Sequence, residues 1–200
     1  GYALRSSLHS LQRIPAIMQY DEERCNRTIA SLTGTIQVPT LRLLTFPLRS
    51  AYDHPDWNEA LAQVPELKRD EWEVATAQWQ ENSEPRDTTY AEWGLSLVGR
   101  MHEQGVPIGA GTDTPIAHAL PGFSLHTELE RLVEAGLTPL EALESATVRP
   151  AEFLSLQDEM GTIDVGKRAD LVLLNANPLD NISNTREIAV VVSKGRLIER

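Results

Sequence analysis

The sequence predicts an α/β fold, and three features of one stretch carry that reading. Val106 to Ala110 is a short apolar run bounded by Gly105 and Gly111, too short for an independent helix and therefore a buried strand of the parallel type. The segment before it, Trp93 to Glu103, sets Trp93, Leu97, Val98 and Met101 at helical spacing. The run then ends abruptly on a carboxylate, Asp113, and parallel α/β architectures collect their functional groups at the carboxyl ends of strands. Gly109 and Gly111 leave room for something close to that strand. An Asp followed by Thr-Pro is also ordinary turn or N-cap chemistry, so Asp113 has a structural reading beside the functional one.

Residues 1–20 give little pattern, and 14–20 suit a loop entering a helix. Asp21-Glu22-Glu23-Arg24 starts that helix, with Asp21 as N-cap, acids in the first turn, apolar positions at Cys25, Ile29 and Leu32, and Gly34 as its stop. Thr35 to Leu41 alternates polar and β-branched residues as a strand does, although Pro39 confines the strand to its first half or a distorted end. Phe46 to Arg86 is longer than an ordinary connection and must carry structure of its own. Within it, Trp72, Ala75 and Trp79 predict one amphipathic helix over Glu71 to Gln80, which either packs on the domain or covers a pocket as a lid. His54, in Asp-His-Pro-Asp, reads as a turn residue although its acidic neighbours suggest a metal site at first sight.

After Asp113, a loop with His118 leads to a helix capped by Ser124 or Thr127, bearing Leu129, Leu132 and Val133 and ending at Gly136. Thr138-Pro139-Leu140-Glu141 is a capping box with Pro at the first helical position, and a further short helix runs from Arg149 to about Leu156. From Gly161 the pattern changes to short strands at Ala169–Leu174, Ile188–Val192 and Leu197-Ile198, with Lys194-Gly195 as a hairpin turn. Asp170, beside Lys167 and Arg168, is expected to settle a turn.

Composition bounds the function. A chain of 200 residues with 41% hydrophobic content can bury a real core. A net charge of −11 and a pI near 4.9 repel nucleic acid and anionic membranes, so neither is expected as a partner. Cys25 is the single cysteine, which excludes an intrachain disulfide and cysteine-rich zinc clusters and fits a cytoplasmic setting. No apolar run approaches the roughly 20 residues of a membrane span.

Three segments taken together, Gly111-Thr-Asp-Thr-Pro115, Pro121-Gly-Phe-Ser-Leu-His-Thr-Glu-Leu129 and Gly161-Thr-Ile-Asp-Val-Gly-Lys-Arg-Ala-Asp-Leu-Val172, resemble the amidohydrolase superfamily, above all its imidazolonepropionase-like and prolidase-like members. The resemblance covers the chain from about Asp21 onward. It implies the C-terminal portion of a TIM-type (β/α)8 barrel in residues 1–158, holding the last two strands with their helices and the insertion 46–86, followed by strands of a small β-sandwich in residues 159–200. Thr35 to Leu41 then corresponds to the seventh strand and the run before Asp113 to the eighth.

Members of that superfamily typically bind one or two divalent metals, often zinc, through a His-x-His pair, a bridging Lys or equivalent, two further histidines and an aspartate on the eighth strand. The resemblance makes Asp113 that aspartate, both metal ligand and catalytic proton carrier, with Thr114 and His118 as candidates to touch a small amide substrate. The five histidines, His9, His54, His102, His118 and His126, contain no His-x-His pair; His102 is expected at the surface, and His126 matches a position where relatives carry a His. The expected function is therefore hydrolysis of a C–N bond in an amide, cyclic amide or dipeptide by the parent enzyme. The other reading is a non-catalytic interaction module that kept the fold without the ligands. A closed barrel needs about 250 residues, so the chain is expected to be inactive alone, to hold metal weakly if at all, and to associate with a missing N-terminal half or with further copies of itself.

Overall fold

The computed structural model describes residues 21–45, 54, 56–81, 87–116 and 118–198; the loop expected at 14–20 and much of the insertion's two ends lie outside them. The architecture is mixed α/β, mostly helical, with one small antiparallel sheet. Helix α1 (Glu22–Ala30) begins as expected, the Arg24 amide donating to Asp21 Oδ1 at 2.9 Å.

The two segments that the resemblance implies as neighbouring strands, Thr35–Leu41 and Val106–Ala110, do meet in parallel. They do so at one bridge, Gln37 with Ile108, rather than along full strands. Gln37 N donates to the Pro107 carbonyl and Gly109 N to the Gln37 carbonyl, both at 2.8 Å. The ladder stops there because Pro39 has no N–H to give and Thr40 turns into the left-handed region at φ 53°. The chain then enters a short helix, α2 (Leu41–Leu44), instead of continuing as strand. The space kept by the glycines is filled by the partner segment: a Cβ on Gly111 would lie 2.4 Å from Val38 Cγ1, and one on Gly109 3.0 Å from Ile36 Cδ1.

Among its described residues the insertion forms two helices, α3 (Trp57–Ala62) and α4 (Glu66–Glu81), rather than one over Glu71 to Gln80. Pro65 opens α4 early, its carbonyl accepting from the amides of Lys68 and Arg69. Helix α5 (Thr89–Glu103) buries Val98 and Met101, but Trp93, expected on its core stripe, is 45% exposed and stacks on Tyr90 at 5.6 Å between ring centroids. Gly105, at φ 78°, makes the tight turn into Val106.

Helix α6 (Phe123–Glu134) is capped by neither Ser124 nor Thr127. Gly122, at φ 83°, starts it earlier, which frees Ser124 Oγ to accept from Leu120 N at 2.8 Å and Thr127 Oγ1 to accept from Arg186 at 2.9 Å. Gly136 follows its end at φ 118°, as expected. Helix α7 (Pro139–Ala146) carries the full capping box, Glu141 N to Thr138 Oγ1 and Thr138 N to Glu141 Oε2, and α8 (Val148–Phe153) follows. Ala110 N donates to the Ser145 carbonyl of α7 at 2.9 Å, so a helix end takes a donor that a neighbouring strand would otherwise use.

Strands β1 (Leu171–Leu174), β2 (Ile188–Ser193) and β3 (Arg196–Ile198) form the sheet in that order, with Leu171 opposite Val192 and Val192 opposite Leu197. Lys194 and Gly195 both have positive φ, which is the two-residue hairpin the sequence calls for. Asp170 has the structural role expected of it: its Oδ1 accepts from Lys194 N at 2.7 Å and its other oxygen pairs with Arg168. Val172 and Leu173 of β1 and Leu197 and Ile198 of β3 nonetheless remain largely exposed.

The main core gathers Ile29, Leu41, Val98, Ile108, Leu129, Leu132 and neighbours, and Ile182 of the 3-10 turn Ile182–Arg186 joins it. A second cluster unites Trp57, Ala60, Val64 and Trp72 of the insertion with Leu120. The insertion therefore packs on the loop that follows Asp113. No described helix is long and apolar enough to cross a membrane.

Candidate functional site

Asp113 lies just beyond the parallel bridge, exposed, at φ 52°. Its carbonyl accepts from Ile116 N at 2.9 Å, so the residue forms a turn as well as presenting a carboxylate. On either side, the hydroxyls of Thr112 and Thr114 are hydrogen-bonded to each other at 2.7 Å, and the Thr114-Pro115 peptide is cis. Thr114 is exposed beside Asp113.

His118 is placed differently from a side chain simply open to solvent. Its ring packs against both Trp57 and Trp72, at 5.9 and 5.3 Å between centroids, while the two indoles stack on each other at 6.2 Å, and its Nε2 lies 3.5 Å from Thr76 Oγ1. Burial lowers its pKa. A cavity of about 260 Å³ opens beside it, between the insertion helices and the loop, lined by Ala60, Val64, Trp72, Pro115, Leu120 and Phe123 among others.

Two buried charged residues absent from the sequence-based set link the start of α2 to α6 and to Ile116. Glu128, 0% exposed on α6, accepts from Leu41 N at 3.0 Å and Arg42 N at 2.7 Å. It thereby caps α2, whose own N-cap Thr40 makes no side-chain cap bond. Burial pushes the Glu128 carboxyl up to about 7, opposed by those two amides and by the cations of Arg42 and Arg131. Arg42, 5% exposed, donates from Nη2 to the Ile116 carbonyl at 2.8 Å. Burial lowers its pKa, while the charges of Glu128 and Asp113 both favour its cation. Helical periodicity was the available signal for Glu128, since position 128 shares a face with 124, 131 and 132. Arg42 had none, because it lies just past the segment Thr35 to Leu41 that reads as strand.

A second polar network ties the insertion to α6 and the 3-10 turn. Arg186 donates to Asp56 Oδ2 at 2.6 Å and to Glu130 Oε1 at 2.9 Å, and His54 Nδ1 lies 2.6 Å from Asp56 Oδ1. The guanidinium at its centre supplies the counter-charge, so this is an ion network and His54 is a turn residue within it. His126 Nδ1 meets Thr185 Oγ1 at 3.0 Å, and burial, aided by the Arg186 cation, lowers the imidazole to about 4. His102 stands 3.5 Å from Glu141 near the surface.

Among the described residues no group of three or more His, Cys, Asp or Glu side chains converges to hold a metal ion. Asp113, exposed and oxygen-bearing, fits one position of a divalent-metal centre whose other ligands would have to come from elsewhere.

The model of the amidohydrolase family matches residues 54–198. The imidazolonepropionase of Symbiobacterium thermophilum is 35% identical over 106 residues, which are 50% of this chain and 24% of that protein. The 5'-deoxyadenosine deaminase of Methanobrevibacter smithii is 31% identical over 112 residues, 51% of this chain and 26% of the relative. Among solved structures, a prolidase-like protein from Bifidobacterium longum superposes with a TM-score of 0.56 at 32% identity, covering 82% of this chain and 35% of that one. A Xaa-Pro dipeptidase with methionine bound in its active site superposes with a TM-score of 0.58 at 26% identity, covering 84% and 35%. The chain thus spans about a quarter to a third of the length of these relatives.

Proposed function

This chain belongs to the amidohydrolase family, and we propose that it supplies the proton-carrying aspartate of an enzyme that hydrolyses a C–N bond in a small amide, cyclic amide or dipeptide. The observation that carries this reading is the exposed Asp113 carboxylate, presented by a hydrogen-bonded turn immediately after a segment paired in parallel with its neighbour. In the reaction, water adds its oxygen to the carbonyl carbon and gives one proton to an Asp113 oxygen. Asp113 then passes that proton to the nitrogen as the C–N bond breaks, and is left ionised for the next cycle. A divalent metal such as zinc, when bound, brings the pKa of the attacking water toward neutrality. Thr114, exposed next to Asp113, and His118, packed on the insertion's Trp57 and Trp72 beyond the same turn, are the substrate-contact candidates in this reading.

The finer architecture belongs to the same proposal. Residues 35–41 and 106–110 are read as the seventh and eighth strand positions of a TIM-type barrel, and β1 to β3 as part of a small β-sandwich. The exposed apolar side chains of β1 and β3 support the expectation that more polypeptide covers them, whether the rest of a longer protein or another copy. The active unit is then this chain together with the remaining barrel strands and their metal ligands.

Asp113→Asn in that complete enzyme tests the function. The expected result is a fall in kcat on the order of 100-fold or more with the fold retained; unchanged turnover with unchanged metal content rules the role out. The second reading is a non-catalytic interaction module that kept the fold without the metal ligands. Elemental analysis and a panel of dipeptide and lactam substrates separate the two.

A further inference from the structure

We propose that Glu128 and Arg42 are positioning residues that together hold the Asp113 turn in its working conformation, an inference that rests on the reading of Asp113 as the proton carrier. Asp113 sits at φ 52°, in the left-handed region that Asp enters more readily than most residues with a Cβ, within a turn that fixes where its carboxylate points. The turn is closed by Ile116 N donating to the Asp113 carbonyl, and Ile116 is itself gripped through its own carbonyl by the Arg42 guanidinium at 2.8 Å. Arg42 is in turn placed by the start of α2. The two leading amides of that helix, Leu41 N and Arg42 N, end on the two oxygens of Glu128. Support therefore runs from α6 through Glu128 to α2, through Arg42 to Ile116, and so to Asp113.

The burial of these groups argues that their role exceeds packing. Glu128 is fully enclosed beside Leu129 and Leu132, and Arg42 is nearly so. A buried ionisable pair is generally replaceable by apolar side chains of similar size with little loss of stability, or with a gain. What an apolar pair could not reproduce is the carboxylate fork on two adjacent amides or the planar guanidinium that reaches the Ile116 carbonyl. Both features act on the turn that carries the carboxylate. Asp113 also contributes directly to the field around Arg42, which places the guanidinium within electrostatic reach of the reacting group.

Hydrogen exchange on the 200-residue chain reads the positioning without any turnover. In Arg42→Met, the Ile116 amide should exchange at least about tenfold faster while amides in the middle of α5 keep their rates, because the loss is local. In the complete enzyme, the same variant should lower kcat about 100-fold with KM changed less than about threefold, the signature of a reacting group displaced by a fraction of an ångström to an ångström. Arg42→Lys keeps the charge but not the fork, and should fall between wild type and Arg42→Met on both readouts; it also carries the test if Arg42→Met does not fold. Glu128→Gln should speed Ile116 exchange in the same direction. Ile116 exchange that does not change relative to α5 in Arg42→Lys and Glu128→Gln overturns the proposal, as does kcat within about twofold of wild type. Asp113→Asn, run alongside, keeps the two readings apart: if it leaves turnover intact the catalytic assignment fails, whereas if it abolishes turnover and the Arg42 variants do not, only the positioning role fails.

Discussion

Glu128 and His126 lie two residues apart on α6, and their displaced pKa values should give the stability of this chain opposing pH dependences over nearly the same range. Burial raises Glu128 from an ordinary 4.5 to about 7, so the native state binds a proton that the unfolded chain releases. Its contribution is full below pH 4.5 and is lost as pH rises through 7. At about 1.4 kcal/mol per pH unit, the loss amounts to about 3 kcal/mol. Burial lowers His126 from 6.5 to about 4, so its contribution is present above 6.5 and is lost as pH falls toward 4. Allowing for its partial exposure, that loss is about 2 kcal/mol. His118, also lowered by burial, acts in the same direction as His126.

The perturbation is Glu128→Gln, assayed by urea unfolding between pH 5 and 7.5. The substitution should destabilise the chain by about 1–3 kcal/mol at the acidic end, where an amide N–H now faces Leu41 N or Arg42 N. It should also make stability rise more steeply with pH than in wild type, by up to about 1.4 kcal/mol per unit. His126→Asn should tilt the curve the other way. Parallel stability curves for wild type and Glu128→Gln would refute the reasoning, because they would mean that the two amides and the Arg42 and Arg131 cations keep Glu128 ionised throughout.

Gly99→Ala should destabilise by about 2–4 kcal/mol in the same assay, since its Cβ would lie 2.3 Å from the Ala135 carbonyl oxygen and force α5 and α6 apart; a change under about 1 kcal/mol would show that the helices separate freely. Light scattering on the isolated chain should report a species larger than 22.2 kDa, because Val172, Leu173, Leu197 and Ile198 stay exposed on the sheet; a compact monomer with cooperative unfolding contradicts this. Elemental analysis should find zinc well below one equivalent on this chain alone, as one carboxylate is a weak ligand set; tight stoichiometric zinc would reveal ligands outside Asp113.

Much of the local structure is written in the residues themselves. The Asp21 N-cap, the Thr138 capping box and the Lys194-Gly195 hairpin depend on contacts within about four residues, so their chemistry is legible wherever they occur. The strand-like run ending on Asp113 was likewise readable from its apolar residues and glycines, whereas its parallel meeting with the segment near Gln37 was expected only through the family resemblance. The extent of that pairing was not. Alternation from Thr35 to Leu41 suits a strand, but the missing donor at Pro39 and the left-handed Thr40 release the chain into α2, and α2 is held by a carboxylate 87 positions away.

The sequence by itself thus determined which carboxylate stands at the end of the apolar run, because residue type and the following turn are local properties. Only the tertiary structure decided what supports it. Glu128 and Arg42 acquire their roles through hydrogen bonds spanning 74 to 87 residues, and His54, Asp56, Glu130 and Arg186 form one network only when the insertion, α6 and the 3-10 turn are packed together. Long-range partners of this kind leave no periodicity along the chain. Burial, which raises Glu128 and lowers His126, is a property of the surrounding core and not of either residue.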